Sequence, residues 1–199
     1  MNQRKKWLVP AIIGGVVLLL CIWCFSSYNG LVGKEETVAE QWGNVQAQYQ
    51  RRADLIPNLI NTVKGYAQHE KSTFEELTAA RAKATSINLD AENLTPEQLQ
   101  KFQGAQGELS VALGKLLAIT EAYPDLKASQ NFADLQAQLE GTENRIRKSR
   151  SDYNEAVKKY NTSVRSFPAN IVASMFGFER KAPFEAEQGS EKAPSVSFE

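Results

Sequence analysis

Residues 130–167 read QNFADLQAQLEGTENRIRKSRSDYNEAVKKYNTSVRSF. Phe132, Leu135, Leu139, Thr142, Ile146, Ser149, Tyr153, Val157, Tyr160, Val164 and Phe167 recur every three or four residues. That spacing draws one apolar stripe down a helix of about 38 residues, roughly 57 Å long. The alternation is as regular as that of a coiled coil. Pro168 stops it, because proline cannot continue a helix. A helix with a single apolar stripe is stable only when the stripe is covered, so the rest of the chain must supply partners.

Two further segments do so. Val38, Trp42, Val45, Tyr49, Ile56, Leu59, Val63 and Tyr66 form a heptad-like seam, with Arg52 standing where an apolar residue would complete it. Phe74, Leu77, Ala80 and Ala84 continue it. Pro57 either kinks this segment or ends it, with Asp54 then capping a new helix. Residues 85–94 read as a loop. Thr95-Pro96-Glu97-Gln98 follows as a helix start, with Thr95 as cap, Pro96 in the first turn and Gln98 closing a capping box. Leu99, Phe102, Leu109, Leu113, Leu116, Ile119 and Tyr123 carry that stripe to Pro124. The three segments run to about 50, 28 and 38 residues, and their short links make antiparallel neighbours. The expected fold is all-α: an elongated up-and-down antiparallel bundle of three to four long helices. Gly104, Gly107 and Gly114 would let its helices approach closely.

The N-terminus is of another kind. Trp7 to Phe25 is almost wholly apolar and spans about 28 Å as a helix, close to the hydrocarbon thickness of a bilayer. Arg4, Lys5 and Lys6 precede it; all 23 acidic residues follow it. The positive-inside rule puts the basic end in the cytoplasm and the remainder outside. The apolar run exceeds a usual signal-peptide core, and no A-x-A-like site follows it, so an uncleaved anchor is expected. The organisation reads as a basic N-terminus (1–6), a transmembrane helix (7–27), the bundle (28–168), a short apolar element (169–180) and a disordered tail rich in Pro, Ser, Glu and Gly (181–199). The short element either caps the bundle end or meets a membrane surface or partner.

Several blocks resemble the LemA family of bacterial membrane proteins. Tyr28-Asn29-Gly30-Leu31-Val32 is similar to its lead-in motif, and Arg51 to Leu59, with Arg52, Asp54, Leu55, Ile56, Pro57 and Asn58, to its most recognisable block. Glu121 to Ala128, with Tyr123 and Pro124, resembles the second. Glu143-Asn144-Arg145-Ile146, Tyr153-Asn154 and Tyr160-Asn161 resemble the third, and Phe167-Pro168 the end. The resemblance spans residues 28–178. It implies one membrane helix, a four-helix bundle and a bacterial cytoplasmic-membrane location. LemA-like genes often neighbour those of a membrane zinc metalloprotease, which implies an accessory role in the envelope.

Little in the chain points to chemistry. The formal net charge is zero, against a general nucleic-acid binder. His69 is the only histidine, and Cys21 and Cys24 lie in the apolar span, so neither a multi-His metal centre nor a disulfide framework can form. Glu35-Glu36 and Glu75-Glu76 point to different helix faces. No catalytic residue, metal site or cofactor is expected. Arg145, Arg147, Lys148 and Arg150 put four bases in six residues, a solvated face or a landing site for an acidic partner or lipid headgroups. Arg52, on the seam, must snorkel or find a carboxylate, with Glu143 and Glu121 as candidates. The expected function is that of a non-enzymatic membrane scaffold that self-assembles into a homo-oligomer or binds an envelope partner. The alternatives are an adaptor of a membrane protease and a lipid-binding, membrane-remodelling bundle.

Overall fold

The structure, a computed structural model, describes residues 3–91 and 94–185, with side chains from residue 10 onward. It contains α1 (Gln3–Lys64), α2 (Lys71–Ser86), α3 (Pro96–Thr120), α4 (Pro124–Lys127), α5 (Gln130–Arg165) and α6 (Ala169–Phe176), and no strand among the described residues. The fold is all-α. The side chains of the basic cluster at 4–6 and the tail from 186 to 199 lie outside the described residues.

α1 is one helix of 62 residues, roughly 93 Å. Its N-terminal part holds a window apolar and long enough to cross a membrane, none of it buried in the protein, which fits a single-pass anchor. The same helix then enters the bundle. α5 runs antiparallel to it: Lys34 meets Ser163 at one end, and Arg52 meets Glu143 further up. α2 descends alongside α1, where Arg81 reaches Ala53, and α3 climbs back along α2 through Lys83–Glu108 and Lys115–Glu76 pairs. α3 starts as expected: the Thr95 hydroxyl accepts from the Gln98 N–H, and the Gln98 side chain accepts from the Thr95 N–H.

The first break falls at residues 65–70, not at Pro57. The helix continues through Pro57, which faces solvent. Proline has no N–H for the carbonyl four residues back, here that of buried Ala53. The Arg81 Nε–H supplies the missing bond at 2.7 Å. Gly65 ends the helix instead, where the Val63 carbonyl accepts from the N–H groups of both Tyr66 and Ala67. The glycines of α3 do not mediate close approach: a Cβ at Gly104, Gly107 or Gly114 would meet nothing within 4 Å.

Among the described residues the interior has three apolar zones. The distal zone, farthest along α1 from its apolar span, gathers Ile56, Leu59, Val63, Phe74, Leu77, Leu109, Leu116 and Leu126 from α1–α4, with Phe132 and Leu139 of α5. The middle zone is aromatic: Trp42, Tyr49, Phe102, Tyr153 and Tyr160, with Phe184 from beyond α6. The smallest lies at the base, where Val172 and Ala173 of α6 bury Leu31. The packed unit therefore runs past residue 168 and reaches Phe184. α6 closes with Gly177 in the left-handed region (φ 76°), its N–H donating to the Ala173 carbonyl.

Candidate functional site

The seam interruption at Arg52 becomes a polar layer between the distal and middle zones. Arg52 is 2% exposed. Its Nη1 donates to Glu143 Oε1 (2.8 Å) and Ser110 Oγ (2.9 Å), and its Nη2 to Gln106 Oε1 (2.6 Å) and the Gln106 carbonyl (3.2 Å). Gln106 in turn donates to the Ala84 carbonyl. Four helices thus share one network, and the guanidinium also lies over the Tyr49 ring. Its charged partner, Glu143, is 40% exposed, while among the described residues Arg52 Nε is buried without a partner. A buried set of this kind is costly to break, because removing one partner leaves a buried charge uncompensated. Glu121 pairs with Lys127 instead.

The other residues singled out from the sequence are dispersed. Tyr28 packs edge-on against Phe176 and Phe178 at the base, with Asn29 exposed beside it. Asp54 accepts from Gln50, Leu55 borders the distal core above buried Ile56, and the Asn58 carbonyl accepts from Thr62. The Tyr123 hydroxyl donates to Glu70, and Pro124 opens α4. Phe167 is 81% exposed, next to Pro168 at the start of α6. His69 is exposed in the 65–70 turn. Among the described residues no group of three or more His, Cys, Asp or Glu could hold a metal ion.

The four bases of α5 do not share one surface role. Arg147 donates to Asn144, and Lys148 pairs with Asp152. Arg145 is exposed. Arg150 turns inward, its guanidinium 4.9 Å from the Phe184 ring centroid and donating to the Glu185 carbonyl.

Phe184 belongs to the most developed site in the molecule, and it lies where the sequence reads as a disordered tail. Residues 181–185, Lys-Ala-Pro-Phe-Glu, form an extended strap against α5. Asn161 donates Nδ2–H to the Lys181 carbonyl (2.8 Å) and accepts from the Lys181 N–H (2.9 Å). Asn154 repeats the arrangement on Phe184, at 3.0 and 2.8 Å. The Tyr153 hydroxyl donates to the Ala182 carbonyl, and Gln103 reaches the Glu185 carbonyl from α3. Lys181 Nζ pairs with Glu35 of α1. The Phe184 ring fills a box made by Trp42 (stacked, 5.9 Å) and Tyr153 (edge-on, 5.4 Å), closed by Arg150. Burial pushes the Tyr153 hydroxyl up to about 12. Burial, then the nearby Glu35 carboxylate, does the same for Tyr160.

The geometry follows from two repeats. Asn154 and Asn161 are seven residues apart, two turns and about 10.5 Å on one helix face. Lys181 and Phe184 are three extended residues apart, about 10 Å. The strap therefore runs antiparallel to α5 with its amides in step with the asparagines. The recurring Tyr-Asn dipeptide was the signal in the sequence; Phe184 and Lys181 left none, having no periodicity of their own. Tyr28-Asn29 lies at the base and takes no part.

The sequence pattern of the LemA family matches residues 41–198. The chain is 28% identical over 175 residues to magnetosome protein MamQ 1 of Paramagnetospirillum magneticum, covering 79% of this chain and 64% of that protein. It is 26% identical over 170 residues to magnetosome protein MamQ of Magnetospirillum gryphiswaldense, covering 77% of this chain and 62% of that protein. Against protein LemA of Metamycoplasma hominis it is 24% identical over 160 residues, covering 80% and 69%. The chain thus spans somewhat less than two thirds of the length of the MamQ proteins it matches. With the family pattern covering most of its length, a bundle built on an apolar N-terminal helix, and the blocks around Arg52 and Tyr123 in place, the chain belongs to the LemA family.

Proposed function

We propose that the protein is a non-catalytic scaffold of the bacterial envelope. It is anchored once in the cytoplasmic membrane with its N-terminus inside, and its bundle stands outside and associates with further copies. The observation that carries this reading is the continuity of α1. The apolar segment that fits a membrane span and the bundle's central helix are one element, with core positions from Leu31 to Val63 on the same helix as the span. A helix shared in this way holds the bundle at a fixed height and facing, which suits a structural role better than a tethered, freely diffusing head. The names of its relatives denote no enzyme, and the polar residues around Arg52 bond to one another across four helices.

The test is cross-linking of the full-length chain in native membranes with a lysine-reactive reagent, followed by mass spectrometry. Links between identical peptides of two copies are the expected result. A chain that cross-links only to a membrane protease would replace the scaffold with an adaptor. A chain that links to nothing, and stays monomeric when extracted in native nanodiscs, would end both readings.

A further inference from the structure

The strap has the chemistry of a bound peptide. Residues 181–185 contribute one deeply buried side chain, Phe184; the remaining contacts are mostly to backbone. The N–H and carbonyl of Lys181, the carbonyl of Ala182, the N–H and carbonyl of Phe184 and the carbonyl of Glu185 are all taken by side chains of α3 and α5. Pro183 has no N–H to satisfy. Recognition by bidentate side-chain amides reads an extended main chain in any sequence, while a single pocket adds selectivity, the same division of labour as in strand-addition sites. A segment held in this way can leave without unwinding any helix, because no helical hydrogen bond depends on it.

We propose that the groove over Trp42, Tyr153, Asn154 and Asn161 is an extended-peptide binding site in which the straps of two copies in one membrane exchange. A second copy's strap fits by construction, since it brings the same Phe184, the same Lys181 for Glu35 and the same backbone. Exchanging identical segments changes few contacts, so its cost is low. The membrane anchor favours it further. α1 places Trp42 at one height in every copy, seventeen residues beyond Phe25, or about 26 Å at 1.5 Å per residue. Copies confined to the bilayer therefore present groove to groove at high effective concentration. The reach decides the symmetry. Gly177, in its left-handed conformation, is the hinge point, and four extended residues from it to Lys181 span about 14 Å at most. So short a connection bridges two copies only when the groove faces meet, as in a two-fold pair whose axis lies along the membrane normal.

This inference rests on the self-association proposed above and adds its site. The experiment separates the two. Full-length chains with Cys21 and Cys24 replaced by Ser are made in two forms, one carrying Lys181→Cys and the other Glu35→Cys. They are co-expressed with different tags, and membranes are treated with a short bis-maleimide. A mixed dimer carrying both tags is the expected product, reduced at least about tenfold when Phe184→Ala is added to the Lys181→Cys chain. A chain carrying both cysteines is the control, closing within itself and between copies. Internal closure with no mixed dimer would show that the strap is a fixed clasp within its own chain and overturn the proposal. No closure of either kind would overturn the strap's placement as well. Lysine cross-linking of the same membranes reports self-association independently: dimers there without mixed thiol dimers would keep the scaffold and remove the exchange.

Discussion

The bond from Arg81 to the Ala53 carbonyl makes a stability prediction with an internal control. Pro57 leaves that carbonyl without its helical donor, and Ala53 is buried, so water is a poor substitute. Arg81→Met keeps much of the aliphatic stem and removes the donor. The orphaned carbonyl should cost about 1–3 kcal/mol, towards the upper end because the lost bond is charge-assisted. Pro57→Ala restores an N–H at the helical position. In that background the carbonyl has its own donor, and Arg81→Met should cost about 1–2 kcal/mol less. For a chain of this size each kcal/mol moves the melting temperature by about 2–4 °C. The assay is thermal and guanidinium unfolding of the four full-length proteins in detergent micelles, followed by circular dichroism at 222 nm. Arg81→Met costs that are equal in the two backgrounds, within about 0.5 kcal/mol, would falsify the compensation and leave Arg81 a packing residue.

Other outcomes follow from the geometry. At the polar layer the half-exposed member is the acid, so Glu143→Leu, which strands a buried guanidinium, should destabilise by about 2–4 kcal/mol. Arg52→Met leaves a carboxylate that water can reach and should cost less; chemical denaturation showing the reverse order would refute the argument. Tyr153 is held neutral in the fold, so its contribution to stability is complete below pH 10 and is lost as the pH rises from there towards about 12. Absorbance at 295 nm should show tyrosines ionising late in the native protein, and Tyr153→Phe should remove one of them. At the base, Ile171, Met175 and Phe176 are exposed on a helix that packs beside Trp23 and Cys24 of the span. A spin label at Met175→Cys, with Cys21 and Cys24 changed to Ser, should favour oxygen over a water-soluble nickel reagent as a relaxant; a label at Val111→Cys on α3 should do the opposite. Equal behaviour at the two positions would place α6 in water.

Local features were legible in the sequence. The α5 stripe and the Thr95–Gln98 box depend on neighbours within a turn or two, and the structure has both. Arg52 stood out because a charge on an apolar seam needs a partner, and Glu143 was one of two acids proposed for it. What failed to show was non-local. The break at 65–70 was hidden because the apolar spacing carries on through Tyr66 to Phe74, whereas Pro57, the conspicuous breaker, is compensated from another helix. The strap was hidden more completely. Most of its hydrogen bonds come from side chains about twenty and thirty residues earlier, one comes from Gln103 on α3, and its Lys, Pro and Glu have the composition of a solvated tail. Only the asparagines, repeating at two helical turns, hinted that something lay along that face.

The unbroken passage of α1 from its apolar span into the bundle leaves the protein without a swivel. Any turn of that span is a turn of the head, and the groove at Trp42 works like a pointer fixed to a shaft. The gearing is set by the helix itself. One residue added between Phe25 and Leu31 would swing the groove by about 100° and raise it by about 1.5 Å, and a full circuit would take three or four. Compass direction, more than affinity, would then decide which neighbours in the membrane the groove can meet.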